Sequence, residues 1–138
     1  MTKNEIFTFL TNNPVCFLAT ATDNQPHVRG MMLYRADDTG IIFHTVAGKE
    51  MVAQLHANPA IEICTYNPQE QIQLRVSGTA EFFDDLALKQ EMVAQYPFMQ
   101  PLIDKCGYEG LLLFRIVHGQ ALVWTMSGDM APKAPVAL

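Results

Sequence analysis

The chain has 138 residues, 49% of them hydrophobic and 17% charged, a balance that suits one domain with a buried core and argues against disorder. Its net charge of −5, with nine Lys and Arg residues scattered along the chain, argues against a nucleic-acid partner but leaves room for a small anion held by one or two cations. Cys16, Cys64 and Cys106 form no CxxC pair, the opening "MTKNEIFTFLTNNP" has no long apolar core, and no apolar run approaches membrane-spanning length. These features predict a cytoplasmic protein with reduced thiols, no disulfide framework, no metal site and no membrane partner.

Taken in chain order, Thr2 and Glu5 have the spacing of a capping box, and Ile6, Phe9 and Leu10 supply an apolar stripe ended by Pro14, which predicts a short helix. "VCFLATA" (15–21) reads as a buried strand, "TDNQP" (22–26) as a turn and "HVRGMMLY" (27–34) as a second strand. "ADDTG" (36–40) is a further turn and "IIFHT" (41–45) a third strand. A helix is expected from Lys49 to Asn58, with Met51, Val52 and Leu55 at helical spacing. Strands follow at 60–66 and 71–83, then a helix capped by Asp84 or Asp85 and running to about Tyr96. Residues 98–107 are expected to be irregular or briefly helical, and 111–126 to form two strands around a tight His118-Gly119 turn. The tail, 126–138, reads as loose. Short strands joined by tight turns predict a mainly β fold, a six-stranded antiparallel barrel with peripheral helices, and argue against a doubly wound parallel sheet.

Three polar features stand out from this pattern. Arg29 lies in the second strand beside Gly30, where it is either an edge-facing arginine or a bidentate phosphate grip. Thr45 ends a strand, and Ala47-Gly48 leads into a helix starting near Lys49. Free amides, a hydroxyl and an ammonium at that point suit a phosphate, although a solvated lysine has the same sequence. Gln73, Arg75 and Ser77 form a polar row on one strand, either solvent-facing or turned to a ligand held by a partner, where the Gln73 amide would suit the edge of a flavin ring. His27, His44, His56 and His118 show no ligand spacing, and no Walker A, G-x-G-x-x-G or G-x-S-x-G motif is present.

In combination, "FLATATDNQPHVRGMMLY", "IIFHTVAGKEMVAQLHANPAIEI" and "QIQLRVSGTAEFF" resemble the FMN-binding split β-barrel family related to pyridoxamine 5′-phosphate oxidase. The resemblance covers residues 10 to 126 and rests on four elements in register: Arg in the second strand, Phe-x-Thr closing the third, Lys with Leu six residues on, then Asn-Pro. It implies a homodimer with FMN at the subunit interface and a flavin-dependent oxidoreductase, with a nicotinamide as one candidate electron donor. It assigns Arg29 and Lys49 to the FMN phosphate, Gly30, Met31, Met32 and Leu33 to the run beside the flavin ring, and His44 and Thr45 to the close of the third strand. Gln73 would reach the ring from the other subunit, and Trp124 would lie near it. Gly48 stands where the family often has a second basic group, and His44 where it often has Tyr or Phe. Members that oxidise pyridoxamine phosphate resemble one another in a further C-terminal segment, whereas this sequence ends in "APKAPVAL", so that activity is not expected. A non-enzymatic electron-transfer module, or a split barrel binding haem or the deazaflavin F420, are the alternatives. No side chain stands out as a general acid or base.

Overall fold

The computed structural model describes residues 1–128 and 133–138. The first helix, α1 (Lys3–Asn12), begins in the expected capping box: Glu5 N donates to Thr2 Oγ1 at 3.3 Å, and Thr2 N donates to Glu5 Oε2 at 2.6 Å. Its stripe of Ile6, Phe9 and Leu10 is buried in the main core.

Strands β1 (Val15–Thr22) and β2 (Gln25–Met32) form a hairpin whose loop is the two residues Asp23 and Asn24, with φ +50° and +61°. Two successive left-handed residues match the right-handed twist of the flanking strands, and Asp and Asn tolerate that conformation. Pro26 therefore lies in β2 rather than in the turn; β2 ends the sheet path, and an edge strand accepts a residue with no N–H. The turn expected at 36–40 contains a three-residue strand, β3 (Arg35–Asp37), paired with β4 (Gly40–Val46). Then come α2 (Glu50–Ala57), β5 (Ala60–Asn67) and β6 (Ile72–Phe83).

Between β6 and the next strand the chain makes a helical excursion. Asp85 caps α3 (Leu86–Gln95) by accepting from Leu88 N at 2.9 Å. A 3-10 turn at Pro97–Met99 follows, then α4 (Gln100–Gly110), broken at Gly107 by a φ of +70°. Residues 98–107 are thus more helical than their sequence suggests. Lys89 is buried on α3, with Nζ 2.9 Å from the Tyr108 carbonyl and 2.8 Å from Asp84, and so ties α3 to the end of α4.

The region read as a closing hairpin is one strand, β7 (Leu111–Thr125). Both halves of β7 pair antiparallel with β6, and the register shifts once, between Ser77↔Gln120 and Thr79↔Val117. Gly78 there faces His118 and Gly119, two residues against one, which is a β-bulge. His118 has φ +53°, so a signature that fits a hairpin turn serves here to kink a continuous strand. Residues Val136–Ala137 form β8 and pair with Gln120 and Ala121 of β7. That part of the tail is ordered strand, while the expectation of a loose chain over 129–132 lies outside the described residues.

Six long strands and the two short ones make one antiparallel sheet in the order β2-β1-β5-β6-β7-β4-β3, with β8 attached to β7. The sheet curls because its two ends are consecutive in the chain: Leu33 N donates to Pro14 O at 2.9 Å, and Tyr34 N donates to Ile42 O at 2.8 Å. Neighbouring residues thus bond to opposite ends of the strand order, producing the split barrel that the resemblance implies. Leu18, Phe43, Ile63, Leu74, Val76, Phe114 and Ile116 fill the main core with α1. Phe43 and Phe114 pair directly across β4 and β7 and stack at 5.2 Å, a contact contributing about 0.5–1.5 kcal/mol beyond burial. A second core on the back of β4 and β7 packs Ile42, Leu111 and Leu113 under Leu88, Met92, Val93 and Met99. No helix among the described residues is long and apolar enough to cross a membrane.

Candidate anion and cofactor site

Arg29 lies directly opposite Leu18, so its side chain leaves β2 on the barrel-facing side. There it meets α2. Its Nη1 donates to the Leu18 carbonyl at 3.3 Å and to Thr20 Oγ1 at 2.9 Å, and its Nη2 donates to Gln54 Oε1 at 2.5 Å. Those bonds use three of the five guanidinium hydrogens. Nε and the second Nη2 hydrogen, which form one edge of the fork, have no protein acceptor among the described residues.

Charge accounting sets Arg29 apart. Arg35, Arg75 and Arg115 each pair with a carboxylate, at Asp37, Glu62 and Glu81 respectively; Arg29 has no such partner among the described residues. Burial lowers its pKa from the ordinary value and the nearby Glu50 carboxylate opposes that shift, so the guanidinium stays cationic.

Lys49 is the N-cap residue of α2 and makes no side-chain cap bond, which leaves the first amides of the helix without a side-chain acceptor. Gly48 before it has φ +89°, a conformation that strains any residue with a Cβ, so a basic side chain there would require a different turn. His44 and Thr45 are successive residues of β4 and point to opposite faces, with the Thr45 side chain buried. Burial, then the charge of Lys49, hold the His44 imidazole below its ordinary pKa, so it is neutral near pH 7.

The other expected residues are elsewhere. Leu33 is core, and Met31 packs partly buried against the core. Gly30 and Met32 face outward on β2, and a Cβ added at Gly30 would meet nothing within 4 Å. Gln73 also faces outward, between Tyr66 of β5 and Trp124 of β7. With β1 and β5 intervening, Gln73 is three strand spacings from β2, about 14 Å. Within one chain, then, Arg29 and Lys49 belong to the α2 end and Gln73 and Trp124 to the outer sheet face. The strand pattern puts Gly30 and Met32 on that outer face as well.

The sequence profile of pyridoxamine 5′-phosphate oxidase matches residues 2–107. The chain belongs to that family. Over 64 residues it is 38% identical to the pyridoxine/pyridoxamine 5′-phosphate oxidase of Rubrobacter xylanophilus, a stretch that is 46% of this chain and 30% of that protein. The match therefore spans less than a third of that relative's length. Among solved structures, a NimC/NimA family protein from Clostridium acetobutylicum superposes with a TM-score of 0.79 at 19% identity, over 99% of this chain and 92% of that one. A FAD-binding protein from Mesorhizobium loti gives 0.63 at 22% identity, over 89% and 94% of the two chains. A haem-binding protein from Mycobacterium smegmatis gives 0.73 at 15% identity, over 96% and 57%. At these identities the structural matches establish a shared fold.

In this member of the pyridoxamine 5′-phosphate oxidase family, two residues at the candidate site have no counterpart in the sequence reading. Thr20 and Gln54 are only 3% and 6% exposed, and Thr20 Oγ1 donates to Gln54 Oε1 at 2.6 Å. Gln54 had a legible signal: it shares the buried stripe of α2 with Met51 and Leu55, where a polar residue requires a partner. Thr20 had none, because a threonine in a strand is ordinary.

Proposed function

We propose that the chain is an FMN-binding flavoprotein that acts as a flavin-dependent oxidoreductase, assembled as a homodimer with the cofactor between subunits. One observation carries this reading: Arg29 is held in place by neutral acceptors, Gln54 of α2 among them, and leaves two of its N–H groups without an acceptor among the described residues, while the N-cap of α2 makes no side-chain bond. An arginine edge, the amides of a helix N-terminus and the Lys49 ammonium together fit a terminal phosphate. The FAD-binding neighbour supports a flavin on this fold, and the choice of FMN rests on the sequence resemblance.

The placing of the residues supports a second chain. Arg29 points to the barrel side of the sheet while Gln73 and Trp124 lie on its outer face, an arrangement that suits a ligand held between two copies. The outer face supports this reading. Val15, Phe17 and Val28 are 65%, 61% and 70% exposed, and strand pairing puts them beside Met32, Cys64 and Tyr66 on the same side. Contiguous apolar surface of this kind is characteristic of an interface.

Bound FMN would supply the redox chemistry. The residues of the chain would bind and orient it. Arg29, Lys49 and the α2 amides would neutralise the phosphate, the Gln73 amide would offer a donor and an acceptor to the polar edge of the ring, and neutral His44 could donate one hydrogen bond. The test is the visible spectrum of gently purified protein, with any ligand released on denaturation identified by mass. Flavin absorption and released FMN are expected. A Soret band would move the assignment to haem, and a colourless chain that fails to take up added FMN would overturn it.

A further inference from the structure

The Arg29 cluster carries more than an anion contact. Gln54 Oε1 accepts from both Arg29 Nη2 and Thr20 Oγ1, while the same Thr20 oxygen accepts from Arg29 Nη1. The three side chains close a ring of hydrogen bonds. This fixes the orientation of the amide, because a flipped Gln54 would turn its NH2 group toward two donors. It also fixes the guanidinium, which keeps for a ligand its Nε hydrogen and one Nη2 hydrogen, neither of them bonded among the described residues.

The chemistry of the holder matters as much as its geometry. A half-buried arginine is commonly satisfied by a carboxylate, as the other three arginines of this chain are. Gln54 gives the same oxygen with no charge. It orients Arg29 without pairing its charge directly, and the Glu50 carboxylate nearby acts on it only through space. We infer that Gln54 is a positioning residue whose neutrality holds Arg29 in place without adding a directly bonded carboxylate, leaving it open toward an anionic cofactor group. This inference rests on the flavin reading above.

The test uses the full chain, stripped of cofactor, with FMN and riboflavin titrated separately and followed by flavin fluorescence. Gln54→Glu keeps the shape and adds the charge. It is expected to weaken FMN binding about tenfold or more, because the arginine is now neutralised, while riboflavin, which lacks the phosphate, changes less than about twofold. The melting temperature of the stripped protein is expected to stay at or above the wild-type value, since an ion pair replaces a neutral bond. Unchanged FMN affinity, or equal losses for both flavins, overturns the inference. Should Gln54→Glu not fold, Gln54→Met preserves size and removes the acceptor; it too is expected to weaken FMN and spare riboflavin, and unchanged FMN affinity overturns the inference. A wild-type chain that takes up neither flavin overturns the flavin reading first, and this one with it.

Discussion

A single charge can be compared with its controls. Arg29→Ala and Lys49→Ala are each expected to weaken FMN binding, by about 1.5–3 kcal/mol for the arginine and less for the exposed lysine. Lys105, exposed and with no ion pair among the described residues, is the control. Titration of FMN into the three variants checks this, and equal, negligible losses in all three would remove the phosphate assignment. Arg29→Lys should recover little, because an ammonium has no fork to present. The residue scale is also where the sequence was only half legible. Arg29 and Lys49 are identifiable as candidates because they stand in register with the strand and turn pattern that carries the family resemblance. What the sequence hides is the partner list. That Gln54 and Thr20, 34 residues apart, share one hydrogen bond depends on α2 crossing the end of β1, and no local pattern encodes that crossing.

Among the elements, the long strand β7 shows why part of the fold could be misread. A residue in the left-handed region followed by glycine fits a two-residue hairpin and a bulge equally well, and only the partner strand separates them. By contrast the capping box of α1, the alternation of β6 and the Asp85 cap were readable, because each depends on residues within one turn or one strand. The bulge gives a paired prediction. Gly78→Ala would push a methyl to 2.5 Å from Ile116 Cγ2 and 2.8 Å from the Val117 carbonyl, and should destabilise the fold by about 1–3 kcal/mol. His118→Gly relieves a positive φ and should stabilise it by up to about 1 kcal/mol. Urea unfolding of both variants is the check; a neutral Gly78→Ala or a destabilising His118→Gly would contradict the bulge.

For the molecule as a whole, assembly and stability can be separated by experiment. Phe17→Glu or Val28→Glu puts a charge on the exposed apolar face without touching the core, and is expected to yield a folded monomer with weakened flavin binding, measured by sedimentation and titration. A dimer of unchanged stability would move the interface elsewhere. Stability should also depend on pH through Cys16. Burial, then the neighbouring Cys64, push its thiol from 9.0 up to about 12. The folded state therefore holds that proton more tightly than the unfolded chain, so the stabilisation is complete below pH 9 and is lost as pH rises toward 12. At pH 11 the loss is about 2–3 kcal/mol, and Cys16→Ala should remove it from a series of urea melts taken across that range. The closure of the barrel has a consequence for its internal motions. The amides of Leu33 and Tyr34, adjacent in the chain, are bonded to opposite ends of the strand order, so neither can be freed by fraying of a single edge. In hydrogen–deuterium exchange the two should lose protection together, at the rate of global opening. A faster Leu33 would mean that the hairpin of β1 and β2 peels away first, and a faster Tyr34 that β3 and β4 do.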